Sequence, residues 1–375
     1  MKNLPILIVL LLAGGLASAQ LSTPPSGDNQ HASVSQGIGL VTVTISYNSP
    51  NVHAPNGDDR TGHIWGELVP YGFVDLGPGF SRNAPWRAGA NENTTITFSH
   101  PVKINGQAID AGTYGLFLDV EKDGPWNWIF SKNASGWGNY HYDAKEDALR
   151  VPTTPADAPY TEWLAYGFED RLPTSTTAYL QWEKKHIPLK IEVPDANEIY
   201  YAQISNELRG SLGFDYNSLV TAATFCAQNK IHLDQALVWA DAAISGTFVG
   251  REEFSTYQAK AAVLRAMNRT ADAEAIMTKA INHPSASIQA IHQYGRSLLN
   301  EGQNQKAFDV FKLNRDRHPE DKFTTFVGLA RGYTALGDKK NAIKNWETAI
   351  KNIPENQIGN KGAYEAELKK LKGGA

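Results

Sequence analysis

The protein has 375 residues, of which 42% are hydrophobic and 20% are charged, so it is long enough to form about two domains with buried cores. Its formal net charge of −4 at pH 7 gives no basic field that would gather nucleic acid or anionic lipid. The charge balance therefore argues against nucleic acid as the main partner.

The amino-terminal residues have the composition of a secretory signal. Lys2 precedes an apolar run that ends in Ala17-Ser18-Ala19, and we predict that residues 1–19 are a signal peptide cleaved after Ala19. The apolar run is too short to be a comfortable transmembrane helix, and no later segment approaches a membrane span. Residues 20–33 are rich in Ser, Pro, Gly and Asp and are predicted to be a flexible leader. These features predict a soluble protein in the periplasm or outside the cell.

The segment 34–193 has the pattern of a β domain. Short alternating or apolar runs are separated by turn residues; they are TVTISY, TTITFS, TYGLFLDV, WNWIFS, TAYLQWE and PLKIEV. Such runs without helical periodicity predict an antiparallel β-sandwich or barrel-like domain. Seven of the nine tryptophans lie in this segment, which makes it the richer source of aromatic contacts.

Within this segment, WRAGANENTTITFS combines an indole, a guanidinium, an amide and a carboxylate ahead of a strand. Gly89 and Asn91 suit turn positions with positive φ. The favoured interpretation is that Arg87 and Glu92 pair and fasten the loop while Trp86 covers the core. The alternative is that Arg87, Asn91 and Glu92 line a polar pocket beside Trp86.

Aromatic side chains extend the candidate ligand site. Trp137, between two glycines, is the best candidate for an exposed indole, and Tyr140 follows three residues later. An exposed indole beside amides and carboxylates is suited to stacking on a sugar ring. The predicted site therefore consists of Trp86, Arg87, Asn91, Glu92, Trp137 and Tyr140, with a glycan as the candidate ligand.

No catalytic, metal-binding or cofactor motif stands out. The sequence has no GXSXG, HEXXH or paired CXXC motif and no dense calcium loop, so we predict no catalytic residue, metal or cofactor. A glycosidase-like pair, such as Glu92 with Asp143 or Glu146, stays open because its spacing is spatial. The one cysteine, Cys226, excludes an internal disulfide, and its apolar setting favours a buried core residue over a nucleophile.

From Asn197 onward apolar residues recur at helical spacing. Ala273, Ala307 and Ala342 occupy equivalent places 34 and 35 residues apart, the period of tetratricopeptide repeats. Residues 215–354 therefore resemble that family, with a looser fourth unit around Ala236. The resemblance implies an α-helical solenoid whose concave face binds a protein or peptide.

The repeats have predicted flanking elements and a predicted groove. Residues 196–214 are expected to form a connecting helix, and residues 355–375 a capping helix and tail. Charged and polar residues on the repeat helices provide candidate groove positions, which are Lys260, Gln293, Arg296, Lys322 and Arg331.

The β segment also resembles a known family. It contains, in order, IGLVTVTISYNSPNV, DRTGHIWGELVPYG, PWRAGANENTTITFS and SGWGNYHYDAKEDALRV. From about Ser33 to Val193 it resembles a family of secreted bacterial domains of unknown function, of which LVPYG with WRAGANE is characteristic. The resemblance implies an exported β domain, sometimes fused to tetratricopeptide repeats, without assigned catalytic residues. Shorter relatives pass almost directly from LVPYG to WR, whereas FVDLGPGFSRNAP intervenes here.

Two functions remain open from the sequence. The first is an exported non-enzymatic binding or scaffold protein, whose repeats recruit a protein or peptide while the β domain contributes a ligand pocket or interaction surface. The alternative is a hydrolase acting on glycans or the cell envelope, with a site around Arg87, Asn91 and Glu92.

Overall fold

The computed structural model describes residues 28–373. The predicted signal peptide and residues 20–27 of the predicted leader lie outside this range. The chain divides into a β unit, up to Ala196, and a helical unit, from Asn197. The expected fold class, antiparallel β sheets followed by an array of helices, is confirmed.

The β unit contains two antiparallel sheets. The six-stranded sheet has the order β1-β2-β3-β6-β7-β8, and the four-stranded sheet has the order β5-β4-β10-β9. The strands are β1 (Gln30–Ile38), β2 (Val41–Ser49), β3 (Thr95–Phe98), β4 (Val102–Ile104), β5 (Gln107–Ile109), β6 (Gly112–Asp119), β7 (Trp126–Ser131), β8 (Asp147–Thr153), β9 (Ala156–Leu172) and β10 (Ser175–Glu192).

The first strand begins inside the segment that was expected to be flexible. Gln30 pairs with Ser49, and the antiparallel register continues to Ile38 and Val41. The prediction of a flexible leader is therefore wrong for residues 30–33. The backbone hydrogen bonds of β2 give these polar residues an ordered place at the sheet edge, although they bury little apolar surface.

Alternating burial explains how the sheets form a core. In β3, Ile96 and Phe98 are buried whereas the two threonines between and before them are partly exposed, as the two-residue side-chain period requires. Tyr166 of β9 crosses to the other sheet, where its ring lies 4.8 Å from that of Tyr47. The Trp128 indole, fully buried in β7, donates a 3.0 Å hydrogen bond to the Pro188 carbonyl of β10. Aromatic side chains thus join the two sheets.

The helical unit consists mainly of antiparallel helix pairs. The helices are α1 (Ala196–Glu207), α2 (Tyr216–Asn229), α3 (Leu233–Ser245), α4 (Phe254–Ala266), α5 (Thr270–Asn282), α6 (Ile288–Asn300), α7 (Asn304–Arg317), α8 (Thr324–Ala335), α9 (Lys339–Lys351) and α10 (Lys361–Leu371). The predicted connecting helix is shorter than expected, since α1 ends at Glu207 and a 3₁₀ turn follows over Ser211–Phe214. Within residues 28–373, no helix has the length and apolar character needed to cross a membrane.

Small residues set the packing inside each helix pair. Ala236, Ala273, Ala307 and Ala342 are each the fourth residue of the second helix of a pair, and each is completely buried. An alanine there lets the two helices of a pair approach closely. The alanine spacing in the sequence thus corresponds to one helix pair per repeat.

Glycine provides space for a large ring both within one helix pair and at the contact with the next pair. The buried Phe311 ring of α7 packs against Gly295 of α6 and Gly328 of α8. A Cβ atom would lie 2.4 Å from a ring carbon of Phe311 if added to Gly295, and 2.7 Å if added to Gly328. Both distances are below van der Waals contact, so these positions accommodate the ring only as glycine.

We expect Gly295→Ala to lower the free energy of unfolding by about 1–3 kcal/mol, the usual cost of overpacking a core. This cost exceeds the gain of up to about 1 kcal/mol that alanine brings to a helix. The measurement is urea denaturation followed by far-ultraviolet circular dichroism. The matched control is Gly359→Ala, where the added Cβ atom has no neighbour within 4 Å. A Gly295→Ala variant as stable as wild type would contradict this packing.

Candidate ligand-binding sites

The β unit contains a cavity of about 440 Å³, a size typical of small-molecule sites. We call it the β cavity. Its apolar lining comprises Pro50, Pro55, Leu68, Val69, Pro70, Val74, Leu76, Trp86 and Trp182, and its polar lining comprises Asn29, Asn51, Arg60, Arg87, Asn91, Asn139 and Tyr140, with Gly89 and Ala90 between them. Neither an aspartate nor a glutamate is among these lining residues.

Most of the wall comes from residues 50–94, the long connection between β2 and β3. Trp86 attaches this connection to β6, since its N–H donates to the Leu118 carbonyl at 3.1 Å and its carbonyl accepts from the Leu118 N–H at 2.8 Å. Val74 and Ala84, which precede Trp86 in the same connection, form a similar reciprocal pair of backbone hydrogen bonds. Backbone pairing therefore fixes a segment that contains no regular strand of its own.

Tryptophans form the rigid side of the β cavity. The Trp86 ring stacks on Trp182 of β10, with 6.0 Å between centroids and 16° between planes. Trp65 contacts both rings, with centroids 5.6 and 6.0 Å away. Trp182 is 1% exposed, so Trp86, which is partly exposed, presents this cluster to the cavity. Packed aromatic rings lose little side-chain entropy when a ligand binds.

The turn after Trp86 is held by buried hydrogen bonds. Ala88 and Asn91 have positive φ, of 49° and 55°. The Ala88 carbonyl accepts from the Tyr166 hydroxyl at 2.9 Å and from the Thr94 hydroxyl at 3.1 Å. The expectation of positive φ is confirmed for Asn91 and wrong for Gly89. Gly89 is instead required by space, since a Cβ atom there would lie 2.5 Å from the Thr94 hydroxyl oxygen.

Arg87 is a largely buried cation of the β cavity. Its Nη1 donates a 2.9 Å hydrogen bond to the Asn91 carbonyl, and its guanidinium carbon lies 5.8 Å from the centre of the Tyr140 ring. Burial lowers the pKa of Arg87 from its ordinary value, and the interaction with Tyr140 partly offsets this. An arginine nonetheless stays charged at neutral pH, so the site holds a partly dehydrated positive charge.

Arg60 provides a second guanidinium. Its Nε donates to the Val52 carbonyl at 2.9 Å, and its Nη2 donates to the Asn51 carbonyl at 2.8 Å. Within residues 28–373, no ion pair to a carboxylate is formed by Arg60 or by Arg87. The β cavity therefore has two cations and no acidic lining residue.

Glu92 does not pair with Arg87. Its Oε2 accepts a 2.8 Å hydrogen bond from Nδ2 of Asn48, a buried residue of β2. Glu92 is exposed and is absent from the cavity lining. The favoured interpretation, a pair between Arg87 and Glu92, is therefore wrong. The reason is the turn at Ala88–Asn91, which returns the Arg87 guanidinium to its own loop and directs Glu92 to the neighbouring strand.

The structure brings together four of the six predicted ligand-site residues. Trp86, Arg87, Asn91 and Tyr140 line the β cavity, whereas Glu92 and Trp137 do not. Trp137 is 57% exposed. Several lining residues from separate parts of the chain were not predicted from the sequence, notably Arg60, Asn139 and Trp182. No local pattern around them distinguishes a cavity residue from an ordinary turn or core residue.

The helical unit contains a second concave region, of about 640 Å³, which we call the helical cleft. Three of the five predicted groove residues line it, namely Gln293, Arg296 and Lys322. The full lining is Gln289, His292, Gln293, Arg296, Glu320, Asp321, Lys322, Phe323, Thr324, Val327, Asn352, Pro354, Asn356, Gln357, Asn360 and Tyr364. Lys260 is not among these residues and forms a 2.6 Å ion pair with Asp241.

Arg331 also lies outside the lining but acts on it electrostatically. Its guanidinium carbon lies 5.6 Å from the centre of the Trp346 ring. His292 is 8% exposed, and its Nδ1 has no hydrogen-bond partner within the described part of the chain. Burial, together with the charges of Arg331 and Arg296, lowers the pKa of His292 to about 4. His292 is therefore neutral at pH 7, and the basic charges that line the cleft are those of Arg296 and Lys322.

Cys226 is completely buried in α2. Burial and the negative charge of Glu198 raise the pKa of its thiol to about 11, which disfavours the thiolate needed for nucleophilic chemistry. Within residues 28–373, no group of three histidine, cysteine, aspartate or glutamate side chains is arranged to hold a metal ion.

Comparison with known families finds a match for the β unit. The model of DUF2911, a protein family of unknown function, matches residues 29–191. This range corresponds closely to β1–β10, so the β unit resembles that family over almost its whole length. A search of curated protein sequences found no match to the chain.

Two solved structures are similar to part of the chain. One is a tetratricopeptide repeat protein from Parabacteroides merdae, with 17% identity, a TM-score of 0.33 and coverage of 48% of this chain and 66% of that one. The other is MamA, residues 41 to the end, from Desulfovibrio magneticus, with 13% identity, a TM-score of 0.27 and coverage of 44% of this chain and 96% of that one.

The partners of Glu92 can be tested with two double-mutant cycles. We expect Asn48→Ala and Glu92→Ala to be coupled by about 1 kcal/mol, because they share a hydrogen bond to a charged group. Arg87→Gln and Glu92→Ala should be coupled by less than about 0.5 kcal/mol, as for residues without direct interaction. The measurement is the free energy of unfolding of each single and double variant. A larger coupling in the second cycle would restore the Arg87–Glu92 pair.

The buried thiol predicts slow reaction with a disulfide reagent at pH 8. A pKa near 11 instead of the ordinary 9 reduces the thiolate fraction about 100-fold, and burial slows access further. We therefore expect 5,5′-dithiobis(2-nitrobenzoate) to react with the native protein at least about 100-fold more slowly than with the protein unfolded in guanidinium chloride. Equal rates in the two states would show that Cys226 is accessible.

Proposed function

We propose that the protein is an exported, non-enzymatic binding protein whose helical unit recruits a protein or peptide through the helical cleft, while the β unit provides a ligand pocket. The observation that carries this proposal is the polar lining of the cleft, which includes two basic side chains without an ion pair. Arg296 and Lys322 both line it, and neither forms an ion pair with any residue in the range 28–373.

The acidic residues of the cleft have other roles. The Asp321 carboxylate accepts hydrogen bonds from the backbone N–H groups of Thr325, at 2.7 Å, and Phe323, at 3.2 Å. It thereby stabilises the start of α8, where backbone donors lack helical partners. Glu320 is exposed and lies 3.5 Å from the His318 ring. Arg296 and Lys322 are thus the charged lining residues without such a structural contact, which favours a partner with acidic groups.

The other lining residues are suited to a peptide main chain. Six side-chain amides line the helical cleft, belonging to Gln289, Gln293, Asn352, Asn356, Gln357 and Asn360. Each amide both donates and accepts hydrogen bonds, as an extended peptide requires. A volume of about 640 Å³ suits a few residues of a peptide rather than a folded domain.

Export is supported by the sequence of residues 1–19, which has the charge, apolar run and small-residue ending of a signal peptide. A protein with this segment would act in the periplasm or outside the cell. Its single cysteine fits such a compartment, since no cysteine pair would depend on the local redox conditions.

The geometry of the β cavity favours binding over glycoside hydrolysis. Glycosidases generally place two carboxyl groups beside the scissile bond, whereas no aspartate or glutamate lines the β cavity. Glu92, the carboxylate of the hydrolase alternative, is exposed and hydrogen-bonded to Asn48. The absence of a carboxyl group from the lining of the β cavity supports binding over hydrolysis at this place.

The test of recruitment is affinity capture from envelope extract with the whole mature protein. We expect Arg296→Gln with Lys322→Gln to lose the captured partners, because the two substitutions remove the unpaired cations of the cleft. The control is Lys312→Gln with Lys344→Gln, which removes two exposed charges from α7 and α9 outside the cleft. Far-ultraviolet circular dichroism of both variants establishes that they are folded.

The proposal would be supported by partners that bind wild type and the control but not the cleft variant. These partners should also elute as the salt concentration is raised. Retention of the same partners by the cleft variant would contradict it. Mass spectrometry would identify the captured partners. Their acidic segments can then be synthesised as peptides, and the affinity of each peptide for wild type, the cleft variant and the control can be measured directly.

A further inference from the structure

We propose that the β cavity binds a small organic anion with a flat apolar body, whose charged end contacts Arg87 and Arg60 and whose body lies against Trp86. This inference rests on the ligand pocket of the proposed function and adds the chemical class of the ligand. It depends on three features, namely the charge, the apolar wall and the donor arrangement of the cavity.

The charge of the β cavity is uncompensated. Arg87 is largely buried, and Glu92, the acidic residue nearest to it in the sequence, is hydrogen-bonded to Asn48 instead. Removing a guanidinium from water without a counter-charge is costly. An anion in the cavity would offset this cost, whereas a neutral ligand would not. The unfavourable free energy of dehydrating the Arg87 guanidinium therefore favours an anionic ligand.

The guanidinium groups of Arg87 and Arg60 have more N–H donors than their hydrogen bonds to backbone carbonyls use. Arg87 uses Nη1 for the Asn91 carbonyl, and Arg60 uses Nε and Nη2 for two carbonyls. Each guanidinium has five N–H donors, so these bonds fix its position and leave others for a ligand. Carboxylate, sulfonate and phosphate groups accept such bonds in a planar or bidentate geometry.

The rest of the wall is suited to an apolar body. Trp86 stacks on the buried Trp182, so its ring is supported from behind. Pro50, Leu68 and Val74 provide further apolar surface. A flat ring system stacked on an indole gains both burial and favourable ring contacts. A neutral glycan suits the cavity less well, because no carboxylate is available to accept hydrogen bonds from its hydroxyl groups.

Two fluorescent probes distinguish the effect of ligand charge on affinity from the effect of an apolar ring system. Both are tested with the full mature protein. The first is 8-anilinonaphthalene-1-sulfonate, an aromatic anion, and the second is N-phenyl-1-naphthylamine, the same ring system without the sulfonate. We expect the anion to bind wild type more tightly than the neutral probe. Arg87→Gln should weaken the anion at least about tenfold, the usual effect of losing a hydrogen bond to a charged group, and leave the neutral probe nearly unchanged.

Three variants provide the controls. Arg87→Lys keeps the positive charge and should retain most of the affinity for the anion. Arg171→Gln removes an exposed arginine of the same unit that donates a hydrogen bond to the Phe168 carbonyl and does not line the β cavity, and it should change neither affinity. Arg296→Gln with Lys322→Gln should also change neither, which excludes binding of the probe in the helical cleft.

A second measurement needs no substitution and applies even if Arg87→Gln fails to fold. Benzoate should displace the anionic probe from wild type, whereas benzyl alcohol at the same concentration should not. Equal binding of both probes, or equal displacement by both competitors, would overturn the inference about charge while leaving a ligand pocket in place. Absence of binding by either probe would overturn both this inference and the ligand pocket of the proposed function.

Discussion

The reciprocal backbone pair between Trp86 and Leu118 is the constraint on which the β cavity depends. Residues 50–94 contain no regular strand, and two hydrogen bonds at Trp86 attach the middle of β6 to the part of this segment that lines the cavity. The same attachment places the Trp86 ring on Trp182 and the Arg87 guanidinium over the space beside it. The Trp86–Leu118 hydrogen bonds thereby help to position both the apolar and the cationic side of the cavity.

The helical unit depends on a different constraint, the size of residues at helix contacts. Alanine at the fourth position of each second helix and glycine against Phe311 permit close packing. Charged residues of the helical cleft lie outside these helix contacts, as the proposed contact with a partner requires. Arg296 and Lys322 show this most clearly, since both face the cleft without an ion pair to any residue from 28 to 373.

The sequence predicts the parts of this molecule that repeat or alternate. The period of the alanines locates the helix pairs, and the alternation around Ile96 and Phe98 locates β3, since in both cases the signal is local and periodic. The partners of Glu92 and the contribution of Arg60 were not predictable in this way. Asn48 is 44 residues from Glu92 along the chain, and such a pairing is set by tertiary packing. Residues 30–33 were misassigned because composition indicates the absence of a core residue but does not exclude strand pairing.

The position of residues 50–94 has an evolutionary consequence. They join β2 to β3, yet these strands pair directly, with Val43 opposite Phe98, so the sheet does not need the connection to have any particular length. Val74 and Leu76, two apolar residues of the cavity wall, lie in the part between Gly72 and Trp86. A shorter connection there would alter the shape of the cavity and leave the sheet register intact. The shape of the proposed ligand pocket can therefore diverge by insertion and deletion in this one segment while the strand register stays constant.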